Sequence, residues 1–163
     1  MTVVARQFAL MNQAGYENFV VSCVTSFGIY IEMLETWKHF PETEEKTREV
    51  LERATGMTFK IPKNLVHASD VIYKFRQEIA VKAKYRLVNK NTGLPLKVVD
   101  HVGCHYAKIF PSHGIGGAEY PYVLAGMIDE WGGEQVDYPE RRHCREYWPS
   151  LFNEVKAIIL HHF

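Results

Sequence analysis

Apolar residues recur at three- and four-residue steps along five stretches of the chain, a spacing that predicts amphipathic helices. The predicted helices cover residues 3–13, 27–40, 43–54, 64–86 and 122–131. Gly15, Pro41 and Gly56 follow the first three of these stretches, and glycine and proline are the residues that most often end a helix.

Short apolar runs rich in β-prone residues separate the helices. Strands are predicted at residues 19–21, 57–61, 94–102 and 135–138, the third beginning beside Pro95. Helices that alternate with short apolar strands are typical of an α/β fold. We therefore expect a mostly parallel sheet flanked by helices, with Rossmann-like layering, in a single domain over residues 1–163.

Composition narrows the class of protein. The 163 residues are 47% hydrophobic, which is typical of a globular domain, and 19 basic residues balance 19 acidic ones. Because no basic excess is present, no nucleic-acid partner is expected. Residues 1–8 carry no secretory signal, and no apolar run approaches the roughly 18 to 20 residues of a membrane span. These features predict a cytoplasmic protein without a transmembrane segment.

The three cysteines are the candidate chemistry of this chain. Cys104 and Cys144 lie 40 residues apart, each after a strand-like run, and Cys23 follows the strand predicted at 19–21. If the strands are parallel, their carboxyl ends meet at one edge of the sheet, where α/β folds place ligands. Thiolates select zinc or iron–sulfur clusters, and an odd number of widely spaced cysteines does not make a disulfide framework.

A complete cluster or zinc site normally takes four protein ligands, one more than the cysteines supply. His105 and His143 each adjoin a cysteine, and either could provide the fourth bond. Neighbours in a strand point to opposite faces, so His143 and Cys144 would reach one metal only from a loop. The competing enzyme hypothesis is a thiolate nucleophile, Cys104, with His105 or His113 as its base, but no oxyanion motif accompanies it.

Charged residues precede Cys144. Asp137, Glu140, Arg141 and Arg142 are expected to form a solvated strand end, with local ion pairs that add little stability.

The cysteine contexts carry a family resemblance. They read His101-Val102-Gly103-Cys104-His105-Tyr106 and Val136-Asp137-Tyr138-Pro139-Glu140-Arg141-Arg142-His143-Cys144. This pattern resembles the cysteine-rich domain of the heterodisulfide reductase B subunit, in which a first cysteine is followed at a comparable distance by Cys-Cys-Gly and then by Cys-x-x-Cys. Arg145 stands at the second cysteine of that pair, and Ser26 stands where a cysteine would complete a Cys-x-x-Cys begun by Cys23.

The similarity runs from residue 6 to residue 144, so the chain resembles the middle of the family and its fold is incomplete relative to it. The tail, residues 145–163, is unlike the family. A break inside the ligand motif indicates a truncated or frame-shifted reading frame. The resemblance implies a component of a heterodisulfide-reductase-type complex, with electron transfer and disulfide reduction at cysteine-ligated, non-cubane [4Fe-4S] clusters.

Under this resemblance Cys23, Cys104 and Cys144 are cluster ligands, and the partners are iron–sulfur and flavin subunits. Two alternatives remain open. One is a metal-free remnant or interaction scaffold that has lost cluster binding. The other is a small zinc-binding protein that uses the three cysteines with His105 or His143. Apolar surface left uncovered by missing segments would favour self-association.

Overall fold

The computed structural model describes residues 1–107, 114–118, 120–138 and 141. The helices are α1 (Thr2–Gln13), α2 (Val24–His39), α3 (Pro41–Thr55), α4 (Ala68–Lys74), α5 (Arg76–Lys82), α6 (Cys104–Ala107) and α7 (Val123–Glu130). The strands are β1 (Asn18–Val21), β2 (Asn64–His67), β3 (Lys97–Val98) and β4 (Glu134–Gln135).

The strands form two short parallel pairs. In the first pair β1 lies beside β2, in a register that sets Asn18 opposite Asn64 and Val21 opposite His67. The chain passes from β1 to β2 through α2 and α3, because parallel neighbours need a long crossover. In the second pair β3 lies beside β4, and α6 and α7 lie between them in the sequence.

Two clusters of buried side chains hold the described elements together. The first joins α1, α2 and α3 to the segment before β2, and its members include Phe8, Trp37, Leu51 and Phe59. Trp37 stacks on Phe59, with 5.3 Å between the ring centroids. The second cluster joins β1 and α2 to α6 and α7, and its buried members are Val21, Phe27, Ile31, Val102, Tyr106, Val123 and Met127.

Several sequence predictions are confirmed. The α/β class is confirmed, and the strand predicted at 19–21 and the helices predicted at 3–13, 27–40, 43–54 and 122–131 all form. Pro41 is the first residue of α3, and Gly56 ends that helix with a left-handed backbone, φ 67°. The strands before Cys104 and Cys144 are expected to share a sheet edge if they are parallel, and β3 and β4 do pair in parallel. In the described residues the strand before Cys23 belongs to a separate pair, so the three strands do not form one sheet there.

Other predictions are wrong in part. Residues 57–61 form no strand, and the strand predicted at 94–102 is reduced to Lys97–Val98. The single helix predicted at 64–86 is a strand followed by two short helices, because residues 64–67 pair with β1. The single domain over 1–163 stays a prediction, and the tail at 145–163 lies outside the described residues.

Candidate functional site

The candidate site lies at the carboxyl ends of β1 and β2, where helix α6 packs against helix α2. Cys23 follows β1 and caps the amino end of α2, and its carbonyl accepts a hydrogen bond from the Phe27 amide at 2.9 Å. Cys104 is the first residue of α6. Cys23 is exposed and Cys104 is half-buried. The two cysteines therefore begin neighbouring helices.

A close contact joins the residues beside these cysteines. A β-carbon added to Gly103 would lie 2.6 Å from Val24 Cγ1, far inside van der Waals contact. A residue without a side chain at position 103 therefore leaves room for the Val24 side chain. The approach brings the segment that carries Cys104 against the segment that carries Cys23.

His67 is the last residue of β2, and its ring is hydrogen-bonded through both nitrogens. Its Nε2 lies 3.2 Å from the Ser22 carbonyl oxygen, which can only accept. Its Nδ1 accepts from the Ser69 backbone amide at 3.3 Å and lies 2.7 Å from Ser69 Oγ. Together these bonds require the neutral tautomer with the proton on Nε2. His67 therefore connects the start of α4 to the peptide before Cys23.

Tyr106, two residues after Cys104, is the buried polar group of the site. Its residue exposure is 2%, its hydroxyl donates to the Asp70 carboxylate, and the hydroxyl accepts from the Ile115 amide at 2.9 Å. Burial raises the pKa of the Tyr106 phenol well above its usual range, and the hydrogen bond to the Asp70 carboxylate raises it further.

Three rings pack together beneath the two cysteine-bearing helices. The His67 ring meets Phe27 edge-on at 5.5 Å and Tyr106 edge-on at 5.4 Å between centroids. Phe27 and Tyr106 lie 6.1 Å apart. Because Phe27 belongs to α2 and Tyr106 to α6, the His67 ring touches a side chain from each helix. Edge-on aromatic contacts favour defined orientations, so this packing restricts how α2 and α6 can move.

A second polar centre lies where β3 and β4 end. Asp100 and Arg141 form a two-pronged ion pair, with Nε to Oδ1 at 2.8 Å and Nη2 to Oδ2 at 3.0 Å. Their side chains are only 3% and 11% exposed. Gln135 donates to the same carboxylate at 3.1 Å, and the Tyr138 hydroxyl donates to the Asp100 carbonyl at 3.1 Å. The hydrogen bond to Asp100 raises the pKa of the Arg141 guanidinium above its usual value.

This ion pair corrects the prediction of a solvated strand end at Arg141. Its carboxylate partner, Asp100, is 41 residues away in sequence and almost fully buried. Asp137, by contrast, is 67% exposed, as a solvated strand end requires. Glu140 and Arg142 lie outside the described residues.

The predicted ligands are placed as follows. Cys23 and Cys104 begin adjoining helices, and His105 follows Cys104 on α6. Cys144, His143 and His113 lie outside the described residues. Within the described part of the chain, no group of three or more histidine, cysteine, aspartate or glutamate residues could hold a metal ion. The described thiols suit a soft metal, but they supply only part of a complete ligand set.

His67, Asp70, Tyr106 and Asp100 have structural roles that the sequence did not indicate. His67 falls inside a stretch with helical spacing, which concealed its position at the end of a strand. The partners of Tyr106 and Asp100 lie 36 and 41 residues away in sequence. The one available signal was local: the 64–67 run has the apolar centre Leu65-Val66 that a buried strand requires.

The sequence of this chain is similar to those of known oxidoreductase subunits. No family model matches the chain. Three curated proteins that it resembles are B subunits of heterodisulfide reductases, all from species of the genus Methanosarcina. The predicted resemblance to the heterodisulfide reductase B subunit is therefore confirmed.

The three relatives are named as follows. The B subunit of a ferredoxin/F(420)H(2)-dependent CoB-CoM heterodisulfide reductase of Methanosarcina acetivorans is 25% identical over 144 residues, covering 88% of this chain and 46% of the relative. The B subunit of a ferredoxin:CoB-CoM heterodisulfide reductase of Methanosarcina mazei is 31% identical over 108 residues, covering 66% and 34%. A protein of the same name from Methanosarcina acetivorans is 24% identical over 148 residues, covering 86% and 45%. The chain thus spans less than half the length of each.

The described helices do not have the length and apolar character of a membrane span. Among the residues that the structure describes, each helix is too short or too polar to cross a bilayer. The predicted cytoplasmic location stays a prediction.

Proposed function

We propose that this chain contributes cysteine ligands to an iron–sulfur centre in a heterodisulfide-reductase-type complex. The ligands are Cys23, Cys104 and Cys144, and His105 or His143 is the candidate nitrogen ligand. The bound centre supplies one-electron transfer toward a disulfide. The chain's own described residues supply two thiol positions and the packing that holds their helices together.

The observation that carries the proposal is the close approach of Gly103 to Val24. It places the start of α6, at Cys104, against the start of α2, which Cys23 caps. This neighbourhood supports the proposal that two soft ligands from distant parts of the sequence serve one centre. Similarity to three proteins named as heterodisulfide reductase B subunits gives this arrangement its redox assignment.

The reaction assigned to the complex is reduction of a disulfide to two thiols, which consumes two electrons and two protons. The electrons come from a reduced donor, and iron–sulfur and flavin subunits are the partners that would deliver them. Cys144 and His143, which belong to the proposed ligand set, lie beyond the described residues.

The test is electron acceptance by protein prepared without oxygen. Protein reconstituted with ferrous iron and sulfide should show visible absorption that a reduced ferredoxin bleaches. Cys104→Ser should lose both signals, because a serine hydroxyl is a poor ligand for cluster iron. Ser26→Ala, in the first turn of α2, is the matched control and should keep both. An unchanged spectrum in Cys104→Ser would exclude the ligand role of Cys104.

The second candidate is a structural zinc site, with the three cysteines and His105 or His143 as its ligands. It predicts one zinc per chain, no bleaching by ferredoxin and loss of the fold when zinc is removed. If the chain is instead a metal-free scaffold, the purified protein should contain neither iron nor zinc. Replacing all three cysteines with alanine should then leave thermal stability almost unchanged.

A further inference from the structure

His67 lies between the two cysteine-bearing segments and contacts both of them. On one side the imidazole Nε2 donates to the Ser22 carbonyl, immediately before Cys23. On the other side the imidazole meets Ser69 Oγ at 2.7 Å. The same imidazole meets the Tyr106 ring edge-on at 5.4 Å between centroids, two residues after Cys104. His67 therefore contacts both the peptide at the end of β1 and a side chain of α6.

His67 and Tyr106 are each held in place by further partners. The Tyr106 hydroxyl also donates to Asp70 and accepts from the Ile115 amide. His67 lies in register with Val21 in the β1–β2 pair, so its backbone is held by the sheet. Side chains with this many partners have one low-energy position, and the segments that they touch are held with them.

We propose that His67 and Tyr106 are positioning residues that set the separation of Cys23 and Cys104. This proposal rests on the proposed function, because that function makes both thiols ligands of one iron–sulfur centre. His67 holds the peptide that leads into Cys23, and Tyr106 holds the helix that begins at Cys104. Phe27 packs against both rings and keeps them in contact.

The separation of the two thiols is measured without metal, by disulfide exchange. In Cys144→Ser protein, oxidised glutathione converts the Cys23 and Cys104 thiols into an intramolecular disulfide and releases two molecules of reduced glutathione. The equilibrium ratio gives the effective concentration of one thiol at the other. This quantity is expected to be far higher in the native protein than in urea. A native value no higher than the value in urea would overturn the proposal.

The variants keep the ring packing and remove the hydrogen bonds. His67→Phe and Tyr106→Phe should each lower the native effective concentration by about tenfold, since a misplacement of about 1 Å is enough to reduce proximity effects strongly. His67→Gln can still donate and accept, and it should restore most of the loss. The matched controls are His39→Phe and Tyr85→Phe. The His39 side chain is 67% exposed, and Tyr85 is 65% exposed. These controls should match the parent protein.

Circular dichroism of each variant establishes that it is folded before exchange is measured. If His67→Phe and Tyr106→Phe keep the parental effective concentration, the positioning role is wrong whatever metal the chain binds. If exchange responds as expected but reconstituted wild-type protein holds no iron, the proposed function fails and the positioning role stands.

Discussion

Gly103 lies so close to Val24 that a β-carbon at residue 103 would be 2.6 Å from Val24 Cγ1 and 3.2 Å from Val24 Cγ2. Val24 is the first residue of α2 and Gly103 directly precedes α6. The contact therefore sets the spacing between the starts of the two helices, each of which lies beside a cysteine.

Gly103→Ala is expected to destabilise the protein by about 1–3 kcal/mol, the usual cost of inserting a methyl group into a packed contact. The added methyl would push the two helix starts apart. Unfolding in urea, followed by circular dichroism, measures the change. The double variant Gly103→Ala/Val24→Ala removes the clashing methyl groups and should recover part of the loss. Equal stability of Gly103→Ala and wild type would show that the helices are not packed in this way.

The ion pair between Asp100 and Arg141 is expected to matter for stability because both side chains are buried. Arg141→Met leaves the Asp100 carboxylate buried without its partner and should cost about 3–5 kcal/mol. The same urea experiment measures this change. Lys38→Met is the matched control, since Lys38 pairs with Glu35 at 70% side-chain exposure, and it should cost less than about 1 kcal/mol. Similar losses in the two variants would contradict the buried pair.

The buried Tyr106 phenol is expected to make the stability of the protein depend on pH in the alkaline range. Its phenol has a raised pKa in the folded protein, first because of burial and then because of its hydrogen bond to Asp70. An unfolded chain releases this proton near the ordinary tyrosine pKa of 10.0, while the folded chain retains it. The contribution of the protonated Tyr106 phenol to the free energy of unfolding is therefore complete below about pH 10. It is lost as the pH rises above that value.

Tyr106→Phe should accordingly show a shallower fall in unfolding free energy above about pH 10 than the wild type. Some slope will remain, because the Tyr30 pKa is also raised, chiefly by burial. Tyr85→Phe replaces a residue that is 65% exposed and should keep the wild-type slope. Parallel curves for Tyr106→Phe and wild type would contradict the burial of this phenol.

Local patterns predicted much of the fold. Residues 3–13 and 43–54 carry their own helical spacing, and Gly56 ends the second helix as its backbone freedom predicts. Residues 64–67 show the limit of such patterns, since Leu65 continues the helical spacing of the residues that follow. Pairing with Phe19 and Val20 across the sheet outweighs that local preference, and pairing between distant segments is invisible to periodicity.

The same limit applies to the candidate site. Cys23 and Cys104 could be selected from the sequence because cysteines after strand-like runs suggest ligands. The residues that hold them could not be selected. His67 reaches Ser22 across 45 positions, and Tyr106 reaches Asp70 across 36. Such contacts form because the crossover connections bring distant segments together. A short stretch of sequence carries no information about that pairing.

The most direct measurement is iron and acid-labile sulfide per chain after anaerobic reconstitution, in wild type, Cys23→Ser, Cys104→Ser and Ser26→Ala. We expect about four irons with matching sulfide in wild type and in Ser26→Ala, and a large loss in either cysteine variant. Absence of iron from the wild type, or an undiminished iron content in Cys23→Ser and Cys104→Ser, would contradict a shared centre at these two cysteines.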